Sequence, residues 1–153
     1  MLNHNQKTIL KTVSFTGVGL HSGLETDVKI VPAAENHGII FKRTDLDINN
    51  IIKANFENVS SAKLCTTLQN EFNVTVSTVE HLLAALYITG IDNALIEVGN
   101  REVPIMDGSS KEFVETIIRT GIKKQNAKRK YLKITKNFKL QEGEKKISIE
   151  PDN

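Results

Sequence analysis

Apolar positions recur along this chain at two periods, two and three to four residues. Alternation fills the first third. From Thr8 to Phe15, Ile9, Lys11, Val13 and Phe15 fall on one side and Thr8, Leu10, Thr12 and Ser14 on the other, which predicts a strand. Thr16–Gly23 then packs three glycines into eight residues and predicts a turn or a close-approach loop. Alternation resumes over Thr26–Val31, stops at Pro32, turns at Asn36-His37-Gly38 and returns over Ile39–Arg43. These segments predict an antiparallel meander. Asn49-Asn50 reads as a turn and Lys63–Leu68 as a further strand.

The helical period takes over at Ser77. Val79, Leu82, Leu83 and Leu86 make a stripe at i, i+3, i+4 and i+7, and Gly90 is a natural stop. Ser77 with Glu80 three residues on fits a capping box. Ala94–Val98 is an apolar run with the length of a buried strand. Pro104–Ser110 is a loop that delivers a second helix, with Phe113, Val114, Ile117 and Ile118 as its stripe, Ser109 and Glu112 as a second capping box, and Gly121 as its end. The class expected is α+β: a two-layer sandwich of a mostly antiparallel sheet and two main helices. Tyr131–Leu140 and Lys145–Ile149 alternate around Glu142-Gly143 and predict a β-hairpin. It reads as the first hairpin of a second, incomplete domain, because a lone hairpin is marginal in water. The expected division is 1–127 for the first domain and 128–153 for linker and hairpin.

Charge sharpens that division. Residues 123–153 carry a net +6 and residues 1–122 a net −4. The basic run from Lys123 through Lys130 has no interleaved aromatics and no nucleic-acid-binding motif, so a solvated linker is expected and a nucleic-acid partner is not. No apolar run reaches the roughly 18 to 20 residues of a membrane span, and Met1–Lys11 has no signal-peptide core. Cys65 is the only cysteine, so no intrachain disulfide can form and a cytoplasmic location is expected.

The candidate chemistry lies in Ser77-Thr78-Val79-Glu80-His81-Leu82. Two readings of the Glu-His pair stand. In one, Glu80 caps the helix and complements its dipole, and His81 is a half-exposed polar residue. In the other, His81 ligates a metal and Glu80 takes a proton from an activated water. The order is Glu before His, and Leu82–Leu86 supply no second ligand, so this is not the H-E-x-x-H pattern. Any zinc at His81 must find its other ligands elsewhere. Cys65 has its own plain alternative, a small buried hydrophobe.

The pieces occur in one order: Thr16–Gly23, Arg43-Thr44-Asp45-Leu46, Leu64-Cys65-Thr66, Ser77–Leu82, Gly90-Ile91-Asp92-Asn93 and Pro104–Ser109. That series resembles the zinc-dependent UDP-3-O-acyl-N-acetylglucosamine deacetylases of lipid A biosynthesis in Gram-negative bacteria, over nearly the whole chain. The resemblance implies two similar α+β domains with the active site between them. It implies a zinc held by a histidine of the first domain and by a histidine and an aspartate of the second. His81 matches the first-domain ligand and Glu80 the general base. His21 matches the glycine-rich loop that faces the active site, as a contact to substrate or bound water, with a plain turn histidine as the alternative, and Leu64 and Cys65 match the mouth of the acyl passage. Lys63 departs from the apolar residue expected beside them. Asp107 is expected as a turn or cap residue, with orientation of His81 as an alternative.

The substrate implied is a UDP-linked acylated amino sugar. The second-domain His-Lys-x-x-x-Asp segment is absent from this sequence, and His4, His21 and His37 do not stand in that pattern. The chain alone is therefore expected to be inactive, with an exposed inter-domain face open to self-association. The alternative is a naturally short, non-catalytic module of the same fold that binds a partner or an acyl-sugar ligand.

Overall fold

Strand-forming runs of Val, Ile and Phe build the largest sheet, and the two apolar-striped segments form helices that cover it. The computed structural model describes residues 4–152. Its strands are β1 (Asn5–Ile9), β2 (Val13–Val18), β3 (Glu25–Pro32), β4 (Ile39–Arg43), β5 (Ile51–Lys53), β6 (Val59–Ser61), β7 (Thr67–Gln69), β8 (Thr75–Val76), β9 (Ala94–Val98), β10 (Ile122–Lys128), β11 (Phe138–Glu142) and β12 (Lys145–Ile149). The helices are α1 (Glu80–Thr89) and α2 (Lys111–Thr120), with a single 3-10 turn at Phe56–Asn58.

The main sheet runs β2-β3-β9-β4-β5. All its pairings are antiparallel except β4 with β9. Parallel neighbours need a long crossover, and here the chain between β4 and β9 includes α1. The meander expected for the opening third is therefore not formed, because β9 inserts between β3 and β4. In β3 alternate residues are buried, and Val28 and Ile30 join Phe41, Ile52, Ile96 and Val98 in the core. Leu82, Ala85 and Leu86 of α1 and Phe113 and Ile117 of α2 close it. Each buried Val, Leu, Ile or Phe side chain contributes roughly 1.5–3 kcal/mol. Phe113 meets Phe15 of β2 edge-on, ring centroids 4.9 Å apart. The α+β class with two main helices is as the sequence predicts.

Three local expectations change. The alternating run Thr8–Phe15 is broken: β1 leaves the main sheet to pair with β10, and β2 begins at Val13. The basic run is not a solvated linker up to Lys128, because Ile122–Lys128 is a strand. It is docked through buried amides: Asn93 Nδ2 donates to both Gln6 Oε1 and Gln125 Oε1 (2.8 Å each), and Gln6 Nε2 donates to Asn36 Oδ1 (2.9 Å). Arg129 follows with a forked bond to Asp92 (2.7 and 2.9 Å) and donates to Gly90 O at the C-terminus of α1. Gly90 itself adopts φ 73°, the left-handed cap that favours glycine. Lastly, the hairpin strand is shorter than expected: β11 begins at Phe138, and both hairpin strands are exposed throughout. Among the described residues no helix is long and apolar enough to cross a membrane.

Candidate functional site

Both capping boxes fail, and the way they fail builds the site. Ser77 does not cap α1; its N–H and Oγ donate to Arg101 O. The residue before the helix is Val79, in helical backbone and with no side-chain cap. Between them Thr78 stands at φ 56°. A β-branched residue is rarely found there, at a strain of about 1–3 kcal/mol. This left-handed residue turns the chain from β8 into α1 and puts Glu80 and His81 in the first helical turn, both half-buried. Glu80 has a different partner from the one expected: its Oε2 accepts from the Thr66 N–H (3.0 Å). At the second helix, Ser109 Oγ accepts from the Lys111 N–H without a reciprocal bond from Glu112.

The bond from Thr66 brings the segment 64–66 to Glu80. Lys63–Cys65 forms a bend rather than the expected strand, and β7 begins at Thr67. Leu64 sits at φ 70° with 85% of its surface exposed, an apolar side chain presented to solvent. Cys65 is half-buried and its thiol lies 3.8 Å from Thr67 Oγ1. The ring of His81 has no hydrogen-bond partner among the described residues. Asp107 does not orient it; Asp107 Oδ1 accepts from Ser109 N–H and Oγ (2.9 and 2.8 Å), and the Ser109 bonds lower its carboxyl pKa. It is a turn residue, as the sequence suggested.

His21 joins the site through an acid that sequence reasoning did not single out. Glu102 is 1% exposed. Its Oε1 accepts from the His21 N–H (3.0 Å) and from Thr78 Oγ1 (2.8 Å), and its Oε2 from the Ser22 N–H (2.7 Å). One carboxylate thus ties the glycine-rich loop to the strained residue two positions before Glu80. The His21 side chain is exposed.

The model of the UDP-3-O-acyl N-acetylglycosamine deacetylase family matches residues 6–153. The chain belongs to that family. It is 47% identical, over 146 residues, to the UDP-3-O-acyl-N-acetylglucosamine deacetylases of Shewanella denitrificans, Idiomarina loihiensis and Shewanella frigidimarina. Each alignment takes in 95% of this chain and 48% of the relative. The chain spans about half the length of the curated relatives it matches.

In this deacetylase-family chain the donor set for a metal is short. Among the described residues no three His, Cys, Asp or Glu side chains are grouped so as to hold an ion. Zinc takes three or four protein ligands, so His81 with Glu80 beside it does not make a zinc centre by itself. No step through zinc follows from these residues alone.

Glu102 makes the site sensitive to acid. Burial pushes its carboxyl up, but hydrogen bonds from Ser22, His21 and Thr78 outweigh that and hold it at about 2, against an ordinary 4.5. A pKa lowered by folding means that the charged form stabilises the fold. That stability is present above the unfolded pKa and is lost as pH falls from about 4.5 toward 2. The urea midpoint is expected to drop between about pH 6 and about pH 3, and to drop less in Glu102→Gln. An equal drop in both proteins would place the acid sensitivity elsewhere.

Proposed function

We propose that this chain supplies the base and one metal ligand of a zinc-dependent hydrolase that removes the N-acetyl group of UDP-3-O-acyl-N-acetylglucosamine in lipid A biosynthesis. The observation that carries this reading is the pair at the start of α1: Glu80, fixed through one oxygen by Thr66, next to a His81 ring with no hydrogen-bond partner among the described residues. The names of the relatives supply the substrate. His81 would be one zinc ligand, and the others would come from outside the described residues. Zinc, when bound, would polarise the amide carbonyl and acidify a water.

The residues of this chain have separate tasks. Thr66 occupies Glu80 Oε2, which leaves Oε1 to take a proton as water attacks the acetyl carbon. The C–N bond breaks, and acetate and a free amine result. His21 faces substrate from the glycine-rich loop. Leu64, held out into solvent, and Cys65 beside it contact the acyl chain, where burial of apolar surface favours a fatty group. The short donor set also fits a binding module that keeps the fold without the activity.

A chimera separates the two readings. Residues 6–153 are joined to the remaining half of the Shewanella denitrificans relative, and acetate release is followed with and without zinc. Zinc-dependent release by the chimera is expected, with none from the 153-residue chain above its Glu80→Ala control. A folded chimera that releases no acetate refutes the deacetylase reading. Release by the chain alone refutes the shared centre.

A further inference from the structure

The charged side chains buried among the described residues are Arg43 and Glu102. Arg43 has a counterion, with Asp45 at 2.6 Å. Glu102 has none among the described residues: there its charge is held by N–H and O–H dipoles. A buried carboxylate without a cation is costly unless its oxygens are fully hydrogen-bonded. The donors come from two segments far apart in sequence, His21-Ser22 and Thr78. No side chain caps α1, so the direction of its first turn is set by bonds to other parts of the fold. Those bonds are Thr78 to Glu102, Ser77 to Arg101, Val103 N–H to Ser77 O, Val79 N–H to Thr66 O, and Thr66 N–H to Glu80.

We infer that Glu102 is a positioning residue, whose single carboxylate locks the His21 loop to the Thr78 turn and so sets where Glu80 and His81 stand relative to His21. The inference rests on the reading of Glu80 and His81 as base and zinc ligand. Three features support it. Thr78 would not keep φ 56° on local preference, and the bond from its hydroxyl to Glu102 is the side-chain contact that, with the backbone bonds of Ser77 and Val79, holds it there. The backbone runs through Ser77 and Thr78 directly into the catalytic turn, so a shift at Thr78 moves Glu80. The opposite arm carries His21 through its own N–H, so the same shift changes the gap across the site.

The test compares Glu102→Gln with Thr78→Val. Glu102→Gln removes the charge that strengthens all three bonds and turns one accepting oxygen into a donor, which weakens both arms. Thr78→Val removes one arm and leaves the charge and both loop bonds in place, so it serves where Glu102→Gln does not fold. In NMR spectra of the 153-residue chain, Glu102→Gln is expected to shift the ring signals of both His21 and His81, and Thr78→Val those of His81. His81 signals unchanged in the folded variants overturn the inference.

In the chimera, kcat per folded molecule is expected to fall about 10- to 100-fold in both variants, as for groups that support a metal site from behind. Glu102→Gln also raises KM, whereas Thr78→Val leaves it unchanged. A fall no larger than the loss of folded protein overturns the inference. A wild-type chimera without activity counts against the deacetylase reading only, and the NMR comparison then decides the positioning role.

Discussion

Glu80→Ala in the chimera is expected to lower acetate release by about 100- to 10,000-fold, the usual contribution of a general base. The fold should tolerate the change. Glu80 is half-buried, and water can take over the Thr66 N–H that loses its acceptor. Substitutions at such sites away from the core move stability by about 0.5 kcal/mol. Glu80→Gln refines the test. An amide oxygen can still accept from Thr66 at the 3.0 Å separation, yet the side chain cannot take a proton at neutral pH. If Glu80 acts as a base, the alanine and glutamine variants lose activity alike. If Glu80 only anchors the segment 64–66, glutamine retains most of the rate. Wild-type activity in Glu80→Gln would remove Glu80 from the proton transfer.

Some of this fold is legible in the chain because short-range pattern and tertiary use agree. The stripe Val79, Leu82, Leu86 is buried as its spacing requires, and β3, β4 and β9 lie where alternation or apolar runs put them. The misses share a cause: a local pattern was taken up by a distant partner. Alternation continues unbroken from Thr8 to Phe15, yet the chain changes sheet at Leu10–Thr12. The reason is β10, more than a hundred residues away, and a bond from Leu10 N–H to Gly121 O.

The S-x-x-E patterns are ordinary capping signals, but Arg101 takes Ser77 and Thr66 takes Glu80. The ordered motifs identified the family and pointed to Glu80, His81, His21, Leu64 and Cys65. Glu102 had no signal of its own. It is one glutamate between β9 and a proline, in no periodic pattern, and its importance comes only from the two loops that close over it.

Gly19→Ala is expected to cost about 3 kcal/mol, because it displaces a buried charge from its hydrogen bonds. A β-carbon at position 19 would stand 2.3 Å from Ser22 Oγ, 2.5 Å from Glu102 Oε2 and 2.8 Å from Glu102 Cδ. The serine hydroxyl can rotate away. The carboxylate, 1% exposed, cannot retreat without losing bonds from His21, Ser22 or Thr78. Gly23 in the same loop is the control. Nothing lies within 4 Å of a β-carbon there, and only its φ of 65° opposes a side chain. Gly23→Ala should therefore cost about 1–2 kcal/mol through the backbone alone. Urea unfolding of both variants measures the difference. Combining Gly19→Ala with Glu102→Ala gives the coupling: the joint loss should be smaller than the sum of the single losses, because the methyl group then meets no carboxylate. Additive losses, or equal costs at Gly19 and Gly23, would mean that the glycine-rich loop needs its glycines for backbone freedom and not for the approach of Glu102.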